Sequence, residues 1–160
     1  MSDPIHQLWL YNNWANELIL NSFKQNQSSI PASCLRLFSH ITNAQIIWLS
    51  RINGEPSPVD VWDEHSLSEC EKNHHIFSTG IQQSVADEHK GKISITYKNT
   101  QNIVYTDSLQ DILLHIFSHG SYHRAQIAQD LKRNGLEPQN TDFIRFKRIG
   151  HWQLLLIIII

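Results

Sequence analysis

The longest helical pattern in the sequence is SLQDILLHIFSHGSYHRAQIAQDLKRNG, residues 108–135. Asp107 or Ser108 can cap its start, Asp111 lies in the first turn, and Gly135 suits a left-handed cap at its end. The residues expected to face the core recur at helical spacing, and they are Ile112, Ile116, Ile127 and Leu131. The stretch therefore predicts one long helix.

Three histidines recur every four residues in this helix, at His115, His119 and His123. Each step of four turns the side chain by about 40°, so the three together drift across about 80° of the helix surface. A neighbouring pair can share an ion more readily than all three. We take His119 and His123 as candidate metal ligands, and we expect His115 either to orient a ligand or to be an ordinary core residue.

The residues between the two candidate ligands are Gly120, Ser121 and Tyr122. The glutamate that acts as base in H-E-x-x-H proteases is therefore missing, which disfavours a protease of that type. Gly120 lets a neighbouring helix or a ligand approach closely beside His119, or it is a small residue at a tight helix crossing.

A catalytic metal generally takes a third ligand from another element, and His40 is the best candidate. It adjoins the apolar residues Leu37, Ile41 and Ala44, so it can point inward and meet the long helix across a bundle. The alternative for His40 is an ordinary hydrogen-bonded core histidine. The remaining histidines are expected to be solvated or weakly packed, and they are His6, His65, His74, His75, His89 and His151.

Three more helices precede the long one, over about 4–25, 32–52 and 66–88. Asp3 with Pro4 begins the first, and a capping box of Ser66 and Glu69 begins the third. The second should present one apolar side made of Leu37, Ile41, Ala44, Trp48 and Ile52. Residues 53–65 contain glycine and prolines and form a loop that can span about 45 Å, enough to cross the fold. The fold class is therefore all-α.

Alternating apolar residues follow the third helix, in 93–97 and again in 103–105, separated by 99–102. This period of two predicts a small β-hairpin between the third and fourth helices. Residues 1–150 form one domain, and residues 151–160 form an aliphatic tail after a basic patch of Arg145, Lys147 and Arg148. The tail is too short to span a bilayer, so we expect it to pack on a partner subunit or to lack order.

Composition excludes several functions. With 41% apolar residues, 18% charged residues and a formal charge of −2 among 160 residues, the chain has the balance of a soluble domain and no basic footprint for nucleic acid. Cys34 and Cys70 form no C-x-x-C pair, which suits a reducing cytoplasm. The N-terminus lacks the pattern of a secretory signal, and no stretch is long and apolar enough for a membrane span.

Three stretches resemble the motifs of the DinB family and its YfiT-like relatives. Residues 11–16, YNNWAN, look like the first-helix motif, and 38–41, FSHI, with Trp48 and Leu49 look like the second. The strongest match is 114–127, continuing to Gly135, Pro138 and 141–143. Three departures are Ala125, where the family usually has glycine, Gln139, where it often has a second proline, and the aliphatic tail, which extends past the expected end.

The resemblance implies a four-helix bundle with up-down-down-up topology, whose parallel second and third helices need the long connection at 53–65. It also implies a divalent metal site made of His40, His119 and His123, filled by zinc, nickel or iron, in a homodimer, since relatives are commonly dimers. Characterised members that resemble the chain use their ion with low-molecular-weight thiols such as bacillithiol or mycothiol.

Three functions remain open on this basis. The first is a metal-dependent transferase that joins a thiol to a small electrophilic substrate, and the second is a hydrolase that uses metal-activated water. The third is a non-catalytic metal-binding protein of the stress response. Catalytic residues beyond the ligands cannot be named from the sequence, although Asn43, Tyr122 and Gln126 lie within a turn of a ligand and either contact substrate or serve packing and solvation.

Overall fold

The computed structural model describes residues 3–149. Their helices and strands are α1 Pro4–Gln25, α2 Ala32–Asn53, α3 Leu67–Gly80, α4 Gln82–Ala86, β1 Ser94–Lys98, β2 Val104–Ser108 and α5 Leu109–Arg133. Residues 143–149 are also helical. The protein is therefore mostly helical with one small antiparallel sheet, and the predicted tail at 151–160 lies outside the described residues.

The predicted helix ends are largely confirmed, because local capping groups fix them. The Asp3 side chain accepts a hydrogen bond from the Ile5 N–H at 3.0 Å, and Ser66 and Glu69 form the reciprocal capping box. Ser108 caps α5 by accepting from the Asp111 N–H at 3.0 Å. Gly54 and Gly135, which follow α2 and α5, have φ of 71° and 75°, a conformation that glycine adopts without strain.

The third helix is shorter than predicted. We expected it to continue to about Glu88, but α3 ends at Gly80 and a separate short helix, α4, follows Ile81. A Cβ atom at Gly80 would lie 2.8 Å from Leu49 Cδ2, so the glycine permits a close approach to α2. The break at this point leaves Ile81 and Val85 both buried in the core.

The apolar side predicted for α2 is only partly right. Of its five residues only Ile41 is buried, and the other four are half-buried. The residues of α2 that bury fully include Cys34, Phe38, Gln45 and Leu49. Because α2 packs against α3, α5 and β1, it is covered on several sides, and a single stripe does not describe its burial.

The hairpin forms as predicted, with β1 and β2 antiparallel and Tyr97 opposite Tyr105. β1 packs on α2 and β2 leads directly into α5. In the turn, the Asn99 side-chain oxygen accepts from the Gln101 and Ile103 N–H groups at 2.9 Å each. The hairpin therefore covers the α2 and α5 pair near one end.

Two buried apolar clusters flank a polar layer. The first, called the hairpin-side cluster, includes Ile5 of α1, Leu49 of α2 and Phe77 of α3, together with five residues of α5: Leu109, Ile112, Leu113, Ile116 and Phe117. The second, called the far cluster, is made of Ile19, Leu20, Phe23, Cys34, Phe38, Ile41, Cys70, Ile127 and Leu131. Buried polar side chains lie on the helices between the clusters, and this is where the candidate site forms. No helix among residues 3–149 is long and apolar enough to cross a membrane.

Candidate metal centre

Three histidines from two helices meet in this polar layer. His40 comes from α2, and His119 and His123 come from consecutive turns of α5. One imidazole nitrogen from each lies within 4.8 Å of the others, and the Nε2 atoms of His119 and His123 are 3.1 Å apart. Three nitrogens bound to one zinc-like ion at about 2.0–2.1 Å would lie roughly 3.3 Å from one another in a tetrahedral arrangement. Small side-chain rotations therefore suffice to hold one ion.

Hydrogen bonds on the outer side of two rings fix which nitrogen faces the centre. His40 Nδ1 lies 2.9 Å from the carbonyl oxygen of Val61, and His123 Nδ1 lies 2.7 Å from Oε1 of Gln126. Both oxygens are acceptors, so each Nδ1 carries the proton and donates it. The Nε2 atoms of His40 and His123 then keep their lone pairs, which is the tautomer that a metal ligand requires.

Burial favours the neutral form of the His40 and His119 rings. Desolvation lowers the pKa of His40, and the nearby charges of His123 and Arg36 lower it further, against an opposing effect of the Val61 carbonyl. The pKa of His119 is lowered to about 3 by burial and then by the other histidines. Both rings are therefore neutral at neutral pH, which is the form that binds a metal ion.

Two aromatic side chains border the open side of the three histidines. Trp62 stacks on the His40 ring with centroids 3.9 Å apart and stays 50% exposed. Tyr122 meets the His123 ring edge-on at 5.0 Å and is 63% exposed. Among residues 3–149 no fourth His, Cys, Asp or Glu joins the group. An ion held by three histidines would keep a position for a small ligand.

Hydrogen bonds to α2 hold the segment 54–66, which carries the Val61 carbonyl and Trp62, in place. The Asn43 amide donates to the Asp63 carbonyl at 2.8 Å, and its oxygen lies 2.7 Å from His65 Nε2. The His65 N–H also donates to Ser39 Oγ at 3.1 Å. Asn43 therefore anchors this segment to α2, which is the packing role that the sequence left as one alternative.

A buried arginine stands behind the histidines, next to His123 in the chain. Arg124 is 1% exposed, and its guanidinium donates to Asn12 Oδ1 at 3.0 Å, Asn16 Oδ1 at 2.8 Å and Ser121 Oγ at 2.9 Å. A Cβ atom at Gly120 would lie 2.9 Å from both Arg124 Nη1 and Asn12 Oδ1. Gly120 thus makes room for this network, rather than for a ligand beside His119.

The other histidines have different surroundings. His115 is exposed and contacts Trp48, with centroids 5.3 Å apart, so the core position expected for it is wrong. The expectation for His74 is also wrong, because it is 5% exposed and hydrogen-bonded to Asn16 at 3.4 Å. Its place in the inward repeat of α3, with Cys70 and Phe77, was the signal for burial.

Two groups at the site were not predicted. A backbone carbonyl such as that of Val61 carries no sequence pattern of its own. Trp62 could have been found, because a tryptophan in a long loop of prolines and polar residues usually packs one ring face on something. Gln126 and Tyr122 were named as candidates, and the structure places Gln126 on His123 Nδ1 and Tyr122 beside the same ring.

Comparison with known proteins defines the class to which this fold and site belong. The sequence model of the DinB family matches residues 1–154, and the chain belongs to that family. It is similar to Protein DinB of Bacillus subtilis (strain 168), with 22% identity over an alignment of 160 positions. The alignment covers 89% of this chain and 93% of the relative. The family resemblance stated from the motifs is confirmed.

Proposed function

We propose that His40, His119 and His123 ligate one divalent metal ion and that the protein uses it to transfer a low-molecular-weight thiol to a small electrophile. The observation that carries the proposal is the convergence of three imidazole nitrogens within 4.8 Å in a buried polar layer. The hydrogen bonds from His40 and His123 to Val61 and Gln126 support it, since they leave the inward nitrogens unprotonated.

A divalent ion in such a site lowers the pKa of a coordinated thiol or water. In thiol transfer the thiol proton passes to solvent, the sulfur pair forms a bond to the electrophilic carbon, and the leaving group departs with the pair of its broken bond. The chain's own contribution is to orient the rings of His40 and His123 through the Val61 carbonyl and Gln126. The exposed edges of Trp62 and Tyr122 offer apolar surface to a substrate at the open side.

The bundle topology is part of the proposal. From the hairpin-side cluster to the far cluster, α1 and α5 run in one direction, while α2 and α3 run in the other. This order supports an up-down-down-up four-helix bundle, in which 54–66 is the connection between the parallel α2 and α3. In this arrangement α2 and α5 are antiparallel neighbours, which explains why His40 faces the middle of α5.

Elemental analysis and a conjugation assay test the function. We expect one divalent ion per chain, and product formation from a thiol panel and bromobimane that requires both the ion and the thiol. His123→Ala should lose the ion and the activity, whereas His115→Ala should keep the ion, because His115 is outside the cluster. Turnover of ester substrates without any thiol would instead identify a hydrolase, and a bound ion without turnover would identify a binding protein.

A further inference from the structure

A second polar feature lies beside the three histidines, in a cavity of about 380 Å³ between α2, the 54–66 segment and β1. Its lining includes Ile47 and Arg51 of α2, Val61 of the connecting segment and Tyr97 and Lys98 of β1. This volume suits a small organic molecule. The cavity adjoins the centre, because Val61 lines it and also accepts the hydrogen bond from His40.

Arg51 is the notable residue of this cavity. Its guanidinium lies over two aromatic rings, 4.5 Å from the Trp48 centroid and 5.0 Å from the Tyr97 centroid. Within residues 3–149 it has no ion pair, although Lys24, Arg36 and Lys90 each have a carboxylate partner. Glu55 and Asp60 also line the cavity, but both are exposed and neither pairs with Arg51.

The surroundings of Arg51 leave its charge uncompensated. Arg51 is half-buried, so its guanidinium has lost part of its hydration, and this burial lowers the pKa of Arg51. Aromatic faces attract the cation but occupy none of its five N–H donors. A planar guanidinium held in this way is ready to accept a carboxylate with two parallel hydrogen bonds.

Arg51 also lies on the same face of α2 as His40. The two residues are eleven positions apart in α2, which is close to three helical turns. Their side chains therefore point in a similar direction, about 16 Å apart along the helix axis. The rings of Trp48 and His115 lie along this interval, where both line one surface pocket, and the centroids of His115 and His119 are 5.7 Å apart. A molecule of moderate length that lies across these two rings would reach both Arg51 and the histidines.

We propose that the Arg51 cavity binds a carboxylate group of the small-molecule substrate, whose reacting end lies at the three histidines. This inference rests on the proposed function, which makes the reacting end a thiol. It assigns Arg51 a role in substrate binding and places carboxylate-bearing thiols in the substrate class. The rings of Trp48 and Tyr97 contact the guanidinium, and Val61 lies beside both groups, since it lines the cavity and accepts the hydrogen bond from His40.

A chain-length series tests the proposal. Calorimetry on the cobalt-loaded protein would compare mercaptoalkanoic acids, from mercaptopropionate to mercaptoundecanoate, with their matching carboxamides. We expect the acid to bind about tenfold more tightly than the amide at the lengths that reach Arg51. Arg51→Gln should abolish that preference, Arg51→Lys should keep only part of it, and Lys72→Gln, an exposed cation outside the cavity, should leave it unchanged.

Equal binding of acid and amide at every length would overturn the proposal, and so would a preference that survives in a folded Arg51→Gln protein. Far-ultraviolet circular dichroism establishes that the variants are folded. The cobalt–sulfur absorption band reports separately on the thiol at the histidines. A carboxylate preference without the cobalt–sulfur band would contradict the proposed function but support the Arg51 site. The band without the carboxylate preference would support thiol binding at the histidines but contradict the Arg51 site.

Discussion

Two of the candidate ligands are oriented by hydrogen bonds to neighbouring residues. His123 Nδ1 donates to Gln126 Oε1 with the two atoms 2.7 Å apart, and His40 Nδ1 donates to the Val61 carbonyl oxygen at 2.9 Å. Partners of this kind fix the tautomer and the direction of a ligand ring. The geometry of the candidate site therefore also depends on residues outside the three histidines.

Removal of the Gln126 acceptor gives a direct test at the residue scale. We expect Gln126→Leu to weaken metal affinity by about 10- to 100-fold, since His123 would lose the bond that orients its ring. Competition with a chromogenic chelator measures the affinity. Gln126→Glu should keep the affinity because it keeps an acceptor, and Gln129→Leu, an exposed change on the next turn, serves as the control. Unchanged affinity in Gln126→Leu would contradict the assigned role.

Gly120 provides a second test. Alanine at this position gains about 1 kcal/mol of helix propensity, but its Cβ would meet both Arg124 Nη1 and Asn12 Oδ1 at 2.9 Å. Because that contact breaks a buried, charged hydrogen bond, we expect the free energy of unfolding to fall by about 1–3 kcal/mol. Urea titration measures it, with the exposed Ser118→Ala as control. A Gly120→Ala protein as stable as the parent would contradict this account.

At the same scale, the four-residue spacing predicts that two neighbouring histidines of α5 share one side of the helix, but it suits His115 with His119 as well as His119 with His123. The choice of His119 and His123 rested on the resemblance of 114–127 to the family motif. The role of Arg124 was not predictable, since its partners Asn12 and Asn16 lie more than a hundred residues away in the chain. Contacts of that separation are fixed only when the helices pack.

At the scale of elements, one polar layer connects three helices. Asn16 of α1 accepts from Arg124 of α5 through its oxygen and donates its amide hydrogen toward His74 Nδ1 of α3. Such a bond requires the neutral form of His74. Burial and then the charges of His75 and Arg124 together lower the pKa of His74 to about 4.

This shift makes the packing of α3 sensitive to pH. The unfolded chain binds a proton at His74 below about pH 6.5, whereas the folded protein binds it only near pH 4, so stability falls as the pH falls through that window. Between pH 7 and pH 5 we expect this residue alone to reduce the free energy of unfolding by about 2 kcal/mol. Urea titrations at pH 7 and pH 5 measure this effect: the free energy of unfolding should fall by about 2 kcal/mol more in the parent than in His74→Asn. Equal losses would show that His74 does not titrate in this way.

The ends of the elements were more predictable than their faces. Capping residues such as Ser66 and Ser108 act locally, so the starts of α3 and α5 follow from the sequence. The break after Gly80 depends on contact with Leu49, and the burial of α2 depends on neighbours from α3, α5 and β1. The path of residues 54–66 could not be predicted either, because hydrogen bonds with Asn43 and Ser39 of α2 determine it.

At the scale of the whole molecule, the candidate ion lies where two helices must stay in register. His40 belongs to α2 and the other two ligands to α5, so an ion would join the two helices between the apolar clusters. An ion that binds only the folded chain stabilises it by mass action. Metal binding and folding should therefore be coupled.

Thermal melting tests that coupling. At a free-ion concentration of roughly one hundred times Kd, the bound ion should add about 2.7 kcal/mol to the free energy of unfolding and raise Tm by several degrees. The increase should grow with metal concentration in the parent and in His115→Ala. It should be absent in His119→Ala, and a similar increase in that variant would place the ion elsewhere.

Anomalous diffraction from crystals of the zinc-loaded protein, collected on both sides of the zinc absorption edge, tests the three-histidine centre most directly. The account predicts one dominant peak at about 2.0–2.1 Å from a nitrogen of each of His40, His119 and His123. A dominant peak held by other residues, or bound by α5 alone with His40 turned away, would contradict it.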